Sequence, residues 1–155
     1  MSLNEDARRI INSIFDEIRK NNSSRISKQE IGNLSDIQLK QINSIRRFLG
    51  KPEVGGNKIY FIGKHIYESR IEKNNYTKED VFKMIKRSLS NESFPSIDHR
   101  TIKSSGDMSK INLVSPEIVE IDGNKIQTVS VFVHSSRCND GLEIYNVVPY
   151  GDGKD

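Results

Sequence analysis

The hydrophobic pattern predicts an α+β fold: N-terminal helices followed by a C-terminal antiparallel β-meander. Three observations carry this expectation. Up to about residue 90 the apolar side chains recur at helical spacing. From Ile111 onward they alternate every second residue. A polar, turn-rich stretch from Ser90 to Lys110 separates the two regimes. The chain divides into an N-terminal helical arm, residues 1–30, and a single α+β domain, residues 31–155.

Asn4 to Lys20 reads as an amphipathic helix with Ala7, Ile10, Ile11, Ile14, Phe15 and Ile18 on one stripe, ended by Asn21-Asn22-Ser23-Ser24. The second helix is the best-specified local element. Ser35 and Gln38 form a capping-box pair, and Leu34 with Leu39 supplies the hydrophobic staple. Its apolar stripe is Leu39, Ile42, Ile45, Phe48 and Leu49, and Gly50 and Pro52 stop it. Gly55-Gly56 then turns the chain into a short extended run, Ile59 to Ile62. Lys64 to Glu72 forms a third helix. Thr77 caps a fourth, with Val81, Met84, Ile85 and Leu89 facing inward. In the C-terminal third, Ile111 to Val114 and Ile118 to Ile121 read as strands. Asp122-Gly123 is a hairpin turn, Ile126 to His134 a long strand, and Leu142 to Val148 its return.

At 155 residues, with 34% hydrophobic and 29% charged side chains, the chain makes one domain with a lean core. No apolar run approaches the roughly 18 residues of a membrane span, and Glu5, Asp6, Arg8 and Arg9 interrupt any secretory signal. No membrane partner is expected. The lone Cys138 excludes an intramolecular disulfide and a cysteine-based zinc site. The three histidines show no metal-ligand spacing, so neither metal nor cofactor is expected. The first two-thirds of the chain carries the basic surplus and residues 115–155 the acidic one, which suits a polyanionic partner for the basic part.

Reactive side chains are densest after Gly63. Lys64, His65, Glu68, Ser69 and Arg70 follow within seven positions. At helical spacing His65, Glu68, Ser69 and Glu72 share one face, while Ile66, Tyr67 and Ile71 lie toward another. Two further clusters compete: His134-Ser135-Ser136-Arg137 at the end of the long strand, and the loop from Asp98 to Lys103 with His99 and Arg100. Cleaving RNA through its own 2′-hydroxyl needs no metal. It needs a base, an acid and cations for the charged phosphorane. Histidine suits the first two roles because it titrates near neutrality, and Arg and Lys suit the third. No Gly-x-Ser-x-Gly elbow, P-loop or dinucleotide fingerprint is present.

The order Ile31-Gly32-Asn33-Leu34, a helix, Gly55-Gly56-Asn57-Lys58-Ile59-Tyr60-Phe61, then Lys64-His65-Ile66-Tyr67-Glu68-Ser69-Arg70 and a terminal meander resembles the barnase/EndoU/colicin/RelE-like ribonuclease superfamily. The likeness is to its phage and polymorphic-toxin branches and covers roughly residues 31–150. Lys64-His65 is also similar to the lysine-histidine pair that opens the nuclease domain of colicin D-type tRNases. Where the phage branch carries a second histidine shortly after the first, this chain reads Glu68-Ser69-Arg70.

The resemblance implies a toxin-like, metal-independent endoribonuclease acting in the cytoplasm on RNA, tRNA included, with a cognate inhibitor protein as partner. By this likeness His65 would be the main acid or base and Lys64 a phosphate contact; the chain's own reactive clusters add His134 as the partner of His65 and Arg70 as a third catalytic group stabilising phosphate. Lys64, Ser69, Arg137, Arg100 and Lys103 would bind substrate. The alternative is a non-catalytic binding or structural module of a phage or effector protein, and the two part on whether His65 and His134 open onto one cleft.

Overall fold

The computed structural model describes residues 2–21, 29–96, 111–133 and 140–151. In chain order these form β1 (Ser2–Leu3), α1 (Ala7–Asn21), β2 (Gln29–Asn33), α2 (Asp36–Phe48), β3 (Lys58–Phe61) and α3 (Lys64–Ile66), which runs on into a π-helical stretch, Tyr67–Glu72. Then follow α4 (Lys78–Ser88), β4 (Phe94–Ser96), β5 (Ile111–Ile121), β6 (Asn124–Val133) and β7 (Gly141–Gly151). The seven strands make one mixed sheet in the order β1-β2-β3-β7-β6-β5-β4.

The α+β class and the sequence of helices ahead of the long strands agree with expectation. The sheet as a whole, however, is not purely antiparallel. The meander β5-β6-β7 is there, and Asp122 and Gly123 turn β5 into β6 at φ 52° and 79°, the two-residue hairpin geometry. But β1, β2 and β3 extend the sheet, and β3 runs parallel to β7, with Lys58 opposite Gly141 and Phe61 opposite Ile144. The cause is burial. Ile59 and Phe61 are wholly buried on the helix-covered face, beside Leu142 and Ile144. The short apolar run therefore gains more as an inner strand of the sheet than as a link to α3. The close pairing needs Gly141, because a Cβ there would stand 2.0 Å from the Lys58 carbonyl oxygen.

The core forms one cluster. Ala7, Ile11, Ile14, Phe15 and Ile18 of α1, set apart by the sequence as an arm, pack into it with Ile59, Phe61, Ile66 and Tyr67. The Phe15 ring meets Phe61 edge-on at 5.5 Å and Tyr67 at 5.8 Å. On α4, Val81, Met84, Ile85 and Leu89 are all fully buried, as their spacing predicts. Thr77 and Asp80 form its capping box, and the Ser35–Gln38 box on α2 is likewise present.

The inward stripe predicted for α2 is only partly found. Ile42 is buried, but Phe48 is 86% exposed, and Gln38 and Arg46 are buried in place of it. The helix is turned by polar bonds. Gln38 Nε2 donates to the carbonyls of Ser90 (2.9 Å) and Ser93 (3.1 Å), and Arg46 Nε donates to Pro52. A buried amide so satisfied loses little by leaving water, which frees Phe48 to face outward. On β6 the face shared by Thr128, Ser130 and Phe132 is the one under α4, where the Ser88 and Ser130 hydroxyls hydrogen-bond each other.

Candidate functional site

The site begins where β3 ends. Gly63 sits at φ +89°, and the space a Cβ would need is taken by the Phe61 ring (2.6 Å) and Ile14 (3.0 Å). Only glycine makes this corner while letting the chain press against the core. The corner launches α3, whose Tyr67 N–H still bonds the Gly63 carbonyl at 2.8 Å. One turn later the Lys73 N–H reaches back five residues to Glu68 (3.1 Å), the signature of a π turn.

The hydrogen bonding widens, but the faces stay those of the α-helical wheel: Arg70, four residues after Ile66 and three after Tyr67, falls on their inward side. His65 and Glu68 remain on the solvent side, as the α-helical wheel predicts. Arg70 does not reach the pocket: with Tyr67 it turns inward, each only 8% exposed. Ser69 is half-buried, and its hydroxyl donates to the His65 carbonyl at 2.7 Å, beside Asn146. It braces the turn that carries His65 and does not line the pocket.

The pocket itself has a volume of about 290 Å³. Ile62, Gly63, Lys64, His65 and Glu68 form one wall, and Val133, Glu143, Ile144 and Tyr145 form the other. Pairing on the sheet explains the second wall. Glu143 lies opposite Tyr60 on β3 and Val133 on β6, in the middle of the sheet, and is only 3% exposed. Phe132 pairs with Ile144 and Val131 with Asn146, so Tyr145 is the extra residue of a β-bulge. Bulges re-aim side chains. Here the Tyr145 ring stacks on the His65 imidazole, with centroids 4.3 Å apart and planes 14° from parallel. Lys64 Nζ and Glu68 Oε1 are 4.0 Å apart and each about half exposed, so their attraction is weak and both stay available at the rim.

The pocket thus joins an imidazole, a buried carboxylate, a rim carboxylate and a rim ammonium against apolar walls of Ile62, Val133 and Ile144. Its members can carry protons and meet an anion. Of the sequence-predicted residues, His65 and Lys64 are in the pocket, while Ser69 and Arg70 lie behind it. His134, Arg137, Arg100 and Lys103, with His99, lie outside the described residues. Glu143 and Tyr145 were missed. The one signal for them in the sequence is a carboxylate inside the apolar strand Leu142-Glu143-Ile144, where a charge needs a reason to be.

At the other end of β3 and β7 an exposed network joins Tyr60, Asp140, Lys58 and Glu30. The Tyr60 hydroxyl donates to Asp140 at 3.0 Å, and Lys58 Nζ lies 3.4 Å from Asp140 and 3.5 Å from Glu30. The Tyr60 hydrogen bond, with help from Lys58, holds the Asp140 carboxyl below the usual carboxylate range. Among the described residues no group of three His, Cys, Asp or Glu side chains is placed to hold a metal, and no helix is long and apolar enough to cross a membrane.

The fold and pocket define an α+β domain with a mixed sheet and, at the carboxyl end of β3, a pocket lined by Lys64, His65, Glu68 and Glu143. No protein-family model, curated protein or solved structure matches the chain.

Proposed function

We propose that this chain is a metal-independent endoribonuclease of the toxin-like kind, with the pocket between α3 and β7 as its cleavage site. The observation that carries this reading is the shared lining of His65 and Glu143: two proton carriers facing one cavity, with Lys64 at its mouth. Attack of a 2′-hydroxyl on the adjacent phosphate needs a base to take the hydroxyl proton and an acid to protonate the leaving 5′-oxygen. Glu143 and His65 fill these roles, and Lys64 meets the charge that builds on the phosphorane. Tyr145 fixes the plane of the imidazole and, partly exposed, offers its ring for stacking a base.

The test is cleavage of mixed tRNA and of mRNA in the presence of EDTA, with the product ends identified. Wild-type protein is expected to leave 2′,3′-cyclic phosphate ends. His65→Ala and Glu143→Gln should each slow cleavage by roughly 10²- to 10⁴-fold, the range for losing one general acid or base. RNA left intact by the wild type refutes the reading.

A further inference from the structure

A second cavity, of about 410 Å³, lies between α4 and β5 and is lined by Lys83, Lys86, Arg87, Ser90, Val119 and Glu120. It shares no residue with the His65 pocket. We propose that this cleft is a phosphate-binding site.

Lys83, Lys86 and Arg87 stand at i, i+3 and i+4 of α4, so all three rise from one face of the helix. Like charges at this spacing repel each other, and that repulsion is relieved when an anion sits among them. The helix dipole accounts for Lys86 and Arg87, which lie in the last turn, but not for Lys83 a turn earlier. Pairing within the protein does not account for it either. Among the described residues Lys83 and Lys86 make no ion pair, whereas Lys58, Lys64 and Lys78 each have a carboxylate within reach.

The shape points the same way. Solvated lysines on a convex helix need no cavity, yet these face a concavity floored by Val119, of the size that takes a small ligand. The ammonium groups of Lys83 and Lys86 offer charge-assisted donors to phosphate oxygens, and the Arg87 guanidinium adds its positive charge beside them. The Ser90 hydroxyl, 3.3 Å from that of Ser93, stands at the same cleft. Glu120 is the one opposing charge. It leaves the cleft with a net positive charge, and the gain from that charge grows with the negative charge the ligand carries, which favours phosphate over a single carboxylate. The ligand chemistry is thus a phosphate group, supplied either by a nucleic-acid backbone or by a free phosphate compound.

The experiment is an amide NMR titration of the intact protein with inorganic phosphate, a short single-stranded RNA and a polyglutamate peptide of matched charge. Phosphate or RNA is expected to shift the signals of Lys83 to Ser90 and of Val119 and Glu120. Lys83→Gln with Lys86→Gln should weaken that binding roughly tenfold or more. Glu120→Gln should tighten it about two- to fivefold. RNA cleavage by the wild type is assayed separately, and the shifts that inorganic phosphate causes at the cleft do not depend on its outcome, so failure of the cleavage reading and failure of this one are told apart. RNA saturating well below phosphate identifies a backbone phosphate as the ligand, and the converse identifies a free phosphate compound. No shift at the cleft with either, binding indifferent to the lysine substitutions, or equally tight binding of polyglutamate overturns the proposal.

Discussion

Replacing Gly141 by alanine tests the one pairing that joins the N-terminal strands to the meander. The added Cβ would lie 2.0 Å from the Lys58 carbonyl oxygen and 2.7 Å from its carbon. Both are backbone atoms, so no side chain can swing aside. Relieving the contact takes a separation of roughly 1 Å between strands that normally lie about 4.8 Å apart. The parallel ladder between β3 and β7 has only four residue pairs, Lys58–Gly141 to Phe61–Ile144, and the strain falls on the first of them. Overpacking costs about 1–3 kcal/mol, and a weakened ladder bond adds about 1 kcal/mol. The sum is about 2–4 kcal/mol. For a chain of 155 residues this lowers Tm by roughly 5–15 °C. Thermal unfolding followed by far-UV circular dichroism measures it. The same displacement moves Glu143 and Tyr145, two and four residues along β7, so the ring-current shift that Tyr145 imposes on His65 should change as well. A Tm within about 2 °C of wild type, with an unaltered His65 signal, would refute the view that Gly141 sets the register of the site.

Two further outcomes follow from buried and exposed hydrogen bonds. Ser88→Ala strands the buried Ser130 hydroxyl and should cost about 1–3 kcal/mol, whereas Ser88→Ala with Ser130→Ala should cost little more than the single change; denaturant melts of both variants check this, and simple additivity would contradict it. Tyr60→Phe removes the hydrogen bond that contributes most to the lowered Asp140 titration, so the Asp140 carboxyl should titrate at higher pH, as read by carboxyl-carbon NMR. The sign for stability follows: Asp140 contributes stability above its unfolded-state pKa and loses it as pH falls through the lower folded value. Tyr60→Phe should therefore flatten the acid limb of the stability curve below about pH 4.

Local chemistry determined much of this protein directly. The capping boxes at Ser35–Gln38 and Thr77–Asp80, the buried stripes of α1 and α4, and the Asp122-Gly123 hairpin each depend on residues within a few positions of one another, so a linear reading reaches them. His65 and Lys64 were legible as pocket residues for the same reason: both follow a glycine corner on a short helix. Tertiary structure alone decided the rest. The parallel pairing of β3 with β7 joins residues about eighty positions apart, and nothing in either segment names the other. The rotation of α2 depends on carbonyls of Ser90 and Ser93 finding Gln38. The bulge that lays Tyr145 on His65 is a shift of a single residue in an otherwise regular strand. Periodicity assumes regular elements, and one inserted residue re-aims every side chain near it. Glu143 joins the pocket only because its strand lies inside the sheet, between β3 and β6, a position that the packing of the whole chain assigns.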